Sequence, residues 1–222
     1  MAKVLITGFE AYGHTPHNPA ESVARMLDGK RIGGSEVAGR VVPNDFFECI
    51  EFVRDSIAEL DPEVVVMMGE YGGRAVITVE RIAQNLNDST RYGLADNEGC
   101  ALQGEMTVPG GPAAYYSTLP IRAMVKAMRD SGIPSDISDT AATFCCNHLM
   151  YGVLHHIDVN KLPIRAGWIH LPHLPRVAAL PENLGAPSMS AETSAAGVEA
   201  GIRAILENSE DIGEPILSRF QI

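Results

Sequence analysis

Two adjacent thiols, seven scattered histidines and a glutamate in an apolar stretch are the side chains of this 222-residue chain that could do chemistry together. The run Thr143-Phe144-Cys145-Cys146-Asn147-His148 follows a strand-like segment around Ile137 and opens a stretch of helical character, Asn147 to His156. Cys146 therefore falls at or near a helix N-terminus. Unpaired backbone N–H groups and the helix dipole stabilise a thiolate there, and the same N–H groups can bind an oxyanion during attack on a carbonyl. The competing reading is that both cysteines are small buried hydrophobes.

Thiol catalysis also needs a base and a group that orients it. The histidines are His14, His17, His148, His155, His156, His170 and His173. His148 is two residues from Cys146, so on a helix it points to a different face. His155 and His156 sit at the far end of that helix and suit its C-terminal dipole. His170 ends an apolar strand that Leu171-Pro172 stops, so it projects from a strand's carboxyl end, where α/β active sites form. A lone histidine there is still more often structural than catalytic. His170-x-x-His173 lacks a carboxylate or thiol partner at short spacing, so no metal is expected. Glu80, in Ile77-Thr78-Val79-Glu80-Arg81, is the candidate third group, although the residues alone favour a surface ion pair with Arg81 or Arg91.

Other chemistries find little support. Gly69-Glu70-Tyr71-Gly72-Gly73-Arg74 is glycine-rich and follows a strand, but it lacks the dinucleotide fingerprint, and no nucleotide-loop signature occurs elsewhere. No organic cofactor is expected. A net charge of −11 disfavours nucleic acid and anionic membranes as partners. No apolar run reaches the roughly 18 residues of a membrane span, and the short Val4-Leu5-Ile6 run does not make a signal peptide. These features predict a cytoplasmic protein whose four cysteines, Cys49, Cys100, Cys145 and Cys146, are thiols.

The elements that must position these groups alternate in type. Lys3 to Gly8, Val37 to Pro43 and the continuous apolar run Val64 to Gly69 read as strands, the last suited to burial on both faces. Phe46, Ile50, Val53, Ile57 and Leu60 mark one face of a helix that Asn44 or Asp45 can cap and Asp61-Pro62 ends. Ile121, Met124, Val125 and Met128 mark a second helix stopped by Gly132, and Ser190 to Asn208 a C-terminal one; Ile137 and Trp168 to Leu171 are further strands. The pattern predicts a single α/β/α domain over residues 1–222, with a twisted, mostly parallel (mixed) sheet and helices on both faces. Asn85 to Pro112 and Pro172 to Pro187 are too long for simple connections, which marks them as binding loops, lids or mobile segments.

Four segments, in order along nearly the whole chain, together resemble the pyroglutamyl peptidase I family (pyrrolidone-carboxylate peptidases), cysteine peptidases of α/β/α fold. They are Thr7-Gly8-Phe9-Glu10 with Asn18-Pro19, Gly69 to Asn85, Ser138 to Asn147, and Gly167 to Pro175. Asp96 to Gly99 and Gly111 to Tyr115 add weaker matches. The resemblance implies a thiol peptidase that removes N-terminal pyroglutamate through a thioester, without metal or organic cofactor. It implies Cys146 as nucleophile, His170 as proton carrier, Glu80 as the group that holds the ring, and Arg91 as a helper of an oxyanion hole built on the Cys146 backbone N–H. It also implies an apolar pocket for the lactam ring lined by Phe9, Tyr12, Phe144 and Cys145, with Asn18 and Glu70 nearby. Self-association, commonly as a tetramer, is a further implication.

Four positions depart from the family pattern. Tyr12 replaces phenylalanine, Glu70 replaces a common glutamine, Cys145 replaces an aliphatic residue and Ala142 replaces a glycine. None touches Cys146, His170 or Glu80, so the departures bear on substrate affinity more than on reaction class. Two readings compete with the peptidase: a thiol amidase for another small cyclic or acyl amide, and a ligand-binding protein with an inert Cys146.

Overall fold

The structure is a computed structural model describing residues 3–13 and 15–218; His14 lies outside the described residues. In its first half the chain runs β1 (Lys3–Phe9), α1 (Pro19–Leu27), β2 (Arg31–Ile32), β3 (Ser35–Val42), α2 (Glu48–Leu60), β4 (Val64–Glu70) and β5 (Ile77–Glu80). Short pieces follow: β6 (Ile82–Gln84), β7 (Asn87–Asp88), a 3-10 turn (Thr90–Tyr92), β8 (Gln103–Glu105) and β9 (Ala114–Tyr116). The second half holds α3 (Ile121–Asp130), β10 (Ser135–Ser138), α4 (Cys145–Val159), β11 (Arg165–Leu171), the short α5 (Pro175–Ala178) and α6 (Ala191–Glu207).

Alternation within the buried strands decides the layering, because successive side chains of a strand face opposite ways. Val4 and Ile6 of β1 and Val64, Val66 and Met68 of β4 pack with Val23 and Leu27 of α1, Met124 and Met128 of α3, and Val198 and Ile202 of α6. The intervening Leu5, Val65 and Met67 pack the other way, with Val53 and Ile57 of α2 and Leu149 and Val153 of α4. The result is a seven-stranded sheet of order β10-β5-β11-β4-β1-β3-β2 between two helical layers. Pairs β3/β1, β1/β4, β4/β11 and β5/β10 are parallel, whereas β5/β11 and β2/β3 are antiparallel. The mixed, mostly parallel α/β sheet expected from the sequence is the sheet observed.

One local expectation differs. The cap of α2 is neither Asn44 nor Asp45 but Phe47, in a left-handed conformation (φ 68°) with no side-chain cap. Distant side chains take the backbone donors there: Phe46 N–H donates to Asp96 Oδ2 (2.9 Å) and Phe47 N–H to His148 Nε2 (3.0 Å). The segment 85–112, expected as a binding loop, lid or mobile stretch, carries its own internal hydrogen bonds. Asn85 exchanges two hydrogen bonds with Val108, and Asp96 Oδ1 accepts from Cys100 and Glu98 N–H groups. No helix among the described residues is long and apolar enough to cross a membrane.

Candidate active site

Strand register builds the centre of the site. In the antiparallel β5/β11 pair, Thr78 lies opposite His170 and Glu80 opposite Trp168, so all four side chains share the α2/α4 face. Diagonal neighbours on a sheet face are within reach of long side chains, and His170 Nδ1 meets Glu80 Oε1 at 2.8 Å. A carboxylate there accepts, so Nδ1 carries the proton and Nε2 is left as the basic nitrogen. Thr78 Oγ1 donates to the same Glu80 oxygen at 3.0 Å and accepts from Arg74 Nη1 at 2.9 Å. Arg74 Nη1 also stands 3.5 Å from Glu80, so the buried carboxylate has a cation beside it. Buried carboxylates survive in that company and seldom without it. Glu80 is fully buried; Arg81, a partner suggested by sequence alone, pairs with Asp139 at the surface (2.7 Å), and Arg91 is exposed over the ring of Tyr92.

The thiol arrives from the helical layer. α4 starts at Cys145, with Phe144 at its cap and no side chain capping the first turn, so the Cys146 amide lies among unpaired N–H groups. Cys146 Sγ stands directly over Gly69 of β4: a Cβ on that glycine would lie 3.0 Å from the sulfur and 2.8 Å from Trp168 Cζ2. Gly69 is the register partner of His170 in the parallel β4/β11 pair. The glycine thus opens the sheet face where the thiol must sit, one strand over from the imidazole. Burial pushes the Cys146 thiol up from its ordinary value, the charge of Glu80 adds to the rise, and the residue's own backbone N–H opposes it.

Both groups open into one cavity of about 180 Å³, bordered also by Tyr12, Glu70, Tyr71, Tyr92, Leu94, Ala142 and Phe144. The rings of Tyr12 and Phe144 lie 6.1 Å apart, and Tyr71 meets His170 edge-on at 5.4 Å. A larger hollow, about 900 Å³, lies at the opposite, amino ends of β1, β4 and β11 among Lys3, Glu63 and Pro163, far from the thiol and imidazole. Of the remaining expected pocket residues, Phe9 is buried against Trp168 (ring centroids 5.6 Å) and Cys145 is buried in the core beside Cys49. Asn18 caps α1, accepting from Ala20 N–H and donating to the Glu10 carbonyl. These three stand behind the cavity wall. His148 is bonded to Phe47 N–H and Thr107, and burial lowers its pKa to about 4, so it is a structural histidine.

Comparison with known proteins falls in line with this geometry. Residues 2–208 match the family model for pyroglutamyl peptidase. The chain belongs to that family. It is 61% identical over 222 residues, all of both chains, to the pyrrolidone-carboxylate peptidase of Mycobacterium tuberculosis. Its fold matches the crystal structure of pyroglutamyl peptidase I from Bacillus amyloliquefaciens with TM-score 0.91 and 34% identity, covering 96% of this chain and 100% of that one. Pyrrolidone carboxyl peptidase from Thermococcus litoralis gives TM-score 0.91 and 37% identity over 97% and 100%.

Within this pyroglutamyl peptidase fold, sequence reasoning missed several positioning residues. Gly69 and Thr78 act through strand register, which one sequence does not print. Arg74 reaches Glu80 across a turn. Asn147, fully buried beside the thiol, accepts from Gln84 N–H (2.8 Å) and donates to the Gln84 and Leu86 carbonyls (2.8 and 2.9 Å). Its adjacency to Cys146 was the only signal available for it.

Proposed function

We propose that the chain is a cysteine peptidase that removes N-terminal pyroglutamate, with Cys146, His170 and Glu80 as its catalytic groups. The observation that carries this reading is the 2.8 Å Glu80–His170 hydrogen bond opening into the cavity that holds the Cys146 thiol. His170 Nε2 takes the thiol proton as the sulfur attacks the carbonyl that joins the pyroglutamyl residue to the next one. Glu80, fixed by Thr78 and Arg74, keeps Nδ1 protonated and stabilises the imidazolium. The unpaired N–H groups at the start of α4 face the developing oxyanion. The imidazolium then protonates the leaving amine, and water hydrolyses the thioester to release pyroglutamate. Tyr12 and Phe144 supply apolar walls for the ring, and Glu70 a polar group. Arg91, exposed on the 3-10 turn, reaches an oxyanion only if that segment moves inward on substrate binding. The same reading takes residues 1–222 as one domain of a cytoplasmic, self-associating enzyme.

Turnover of a pyroglutamyl coumarin amide by the reduced protein, beside an alanyl control, tests the proposal. Release from the pyroglutamyl amide alone, abolished in Cys146→Ala, is the expected result. No release above the Cys146→Ala background overturns it.

A further inference from the structure

β4 ends at Glu70, whose side chain is fully shielded from solvent yet borders the cavity that contains Cys146 and Tyr12. Both of its carboxylate oxygens lack a hydrogen-bond partner among the described residues. His173 Nδ1 comes within 2.8 Å of Oε1, but off the direction a hydrogen bond needs. The His173 ring occupies the space above Gly72, where a Cβ would lie 2.2 Å from its Nε2. The other carboxylate at the site, Glu80, takes Arg74, Thr78 and His170 on its Oε1 and does not border the cavity, although its Oε2 is unbonded too. Glu70 is thus the carboxylate that borders the cavity with unbonded oxygens, at a position where the resembling family commonly has glutamine.

That change alters which ring the cavity fits. A lactam ring presents one N–H donor and one carbonyl acceptor, and a glutamine amide can answer both. An ionised carboxylate offers acceptors only. The ring of an N-terminal proline presents two N–H donors, a positive charge and no acceptor. It is the same size as the lactam, and its N–H groups would form charge-assisted hydrogen bonds with the two free oxygens. Burial raises the Glu70 pKa in the empty cavity, with His173 pulling the other way, and an arriving cation favours the ionised form.

We propose that Glu70 gives this enzyme a second activity, release of N-terminal proline, with the cationic ring seated on the Glu70 carboxylate. The inference rests on the thiol chemistry proposed above. The Cys146 proton passes to His170, a sulfur–carbon bond forms at the prolyl carbonyl, and the carbon–nitrogen bond breaks as the amine leaves with that proton. Water then splits the thioester, giving free proline and restoring the thiol.

The test compares kcat/KM for prolyl and pyroglutamyl coumarin amides in the wild-type protein, Glu70→Gln and Cys146→Ala. Wild type is expected to cleave both, with Cys146→Ala losing both, which excludes a contaminating aminopeptidase. Losing one charge-assisted contact should lower the prolyl-to-pyroglutamyl ratio in Glu70→Gln about tenfold or more, and a ratio is insensitive to the fraction folded. Wild type that cleaves only the pyroglutamyl amide, or a ratio unmoved by Glu70→Gln, overturns the proposal. Cleavage of the prolyl amide alone would overturn the pyroglutamyl reading and leave this one standing. If neither amide turns over, protection of Cys146 from iodoacetamide by prolinamide decides: protection that Glu70→Gln abolishes supports the seat, and no protection in wild type rejects it.

Discussion

In the proposed mechanism the chemistry turns on Glu80, because that residue sets the tautomer. His170 can take a proton from sulfur only if Nε2 is bare, and Nε2 is bare because Nδ1 donates to a carboxylate at 2.8 Å. Glutamine in its place keeps the size and removes the guarantee: its amide can turn an N–H toward Nδ1 and force the proton onto Nε2. Glu80→Gln should therefore lower kcat by roughly 10³- to 10⁴-fold, the scale seen when a triad carboxylate becomes an amide. Its KM should change far less, since Glu80 is fully buried behind His170 and does not border the cavity. Steady-state kinetics on the pyroglutamyl amide checks this, and a kcat within tenfold of wild type would remove Glu80 from the mechanism. Burial and the nearby Glu80 charge push the Cys146 thiol up, which leaves the imidazole to take its proton.

At the scale of elements, the turn between β10 and α4 delivers the thiol, and it does so under strain. Ala142 adopts φ 62°, a left-handed conformation that costs a residue with a Cβ about 1 kcal/mol or more and costs glycine little. Ala142→Gly should raise stability by about 1 kcal/mol less the entropy that glycine adds to the unfolded chain, a net gain of a few tenths to 1 kcal/mol. Thermal unfolding would read this as a small increase in Tm; a decrease of more than a degree or two would mean that the methyl, which faces the cavity, contributes packing worth more than the strain. Neither the strain nor the register around it is written in one sequence. The buried strands β1, β4 and β11 are legible from short apolar runs, continuous only in β4, and α2, α3 and α6 because their apolar residues recur at helical spacing. Cys146 at a helix start and His170 at a strand end are legible for the same reason. The antiparallel placement of β5 is not, since only pairing with β11 turns Glu80 from a surface residue into a fully buried one. The cap of α2 is illegible for a related reason: Asp96 and His148, about 50 and 100 residues away, outbid the local Asn44 and Asp45.

Across the whole molecule, the carboxyl ends of β1, β4 and β11 open toward one edge, and segment 85–112 folds over that edge to complete the cavity with Tyr92 and Leu94. Three side chains of α4 tie this segment down: Asn147 bonds to the backbone of Gln84 and Leu86 just where the segment begins, His148 to Thr107, and Tyr151 to the Pro112 carbonyl. Removing the Asn147 side chain leaves one N–H and two carbonyls without partners in a half-buried place, at up to roughly 1–3 kcal/mol each where water cannot enter. Partial hydration brings the expected cost of Asn147→Ala to about 3 kcal/mol, or roughly 6–12 °C in Tm for a chain of this length. A loosened segment also loses its hold on Tyr92 and Leu94, so KM should rise while the alkylation rate of Cys146, set by groups on the sheet and α4, changes little. Unfolding curves, kinetics and iodoacetamide labelling on one preparation separate the two effects. If Asn147→Ala keeps wild-type stability and KM, the remaining anchors, His148 to Thr107 and Tyr151 to the Pro112 carbonyl among them, suffice to hold the segment.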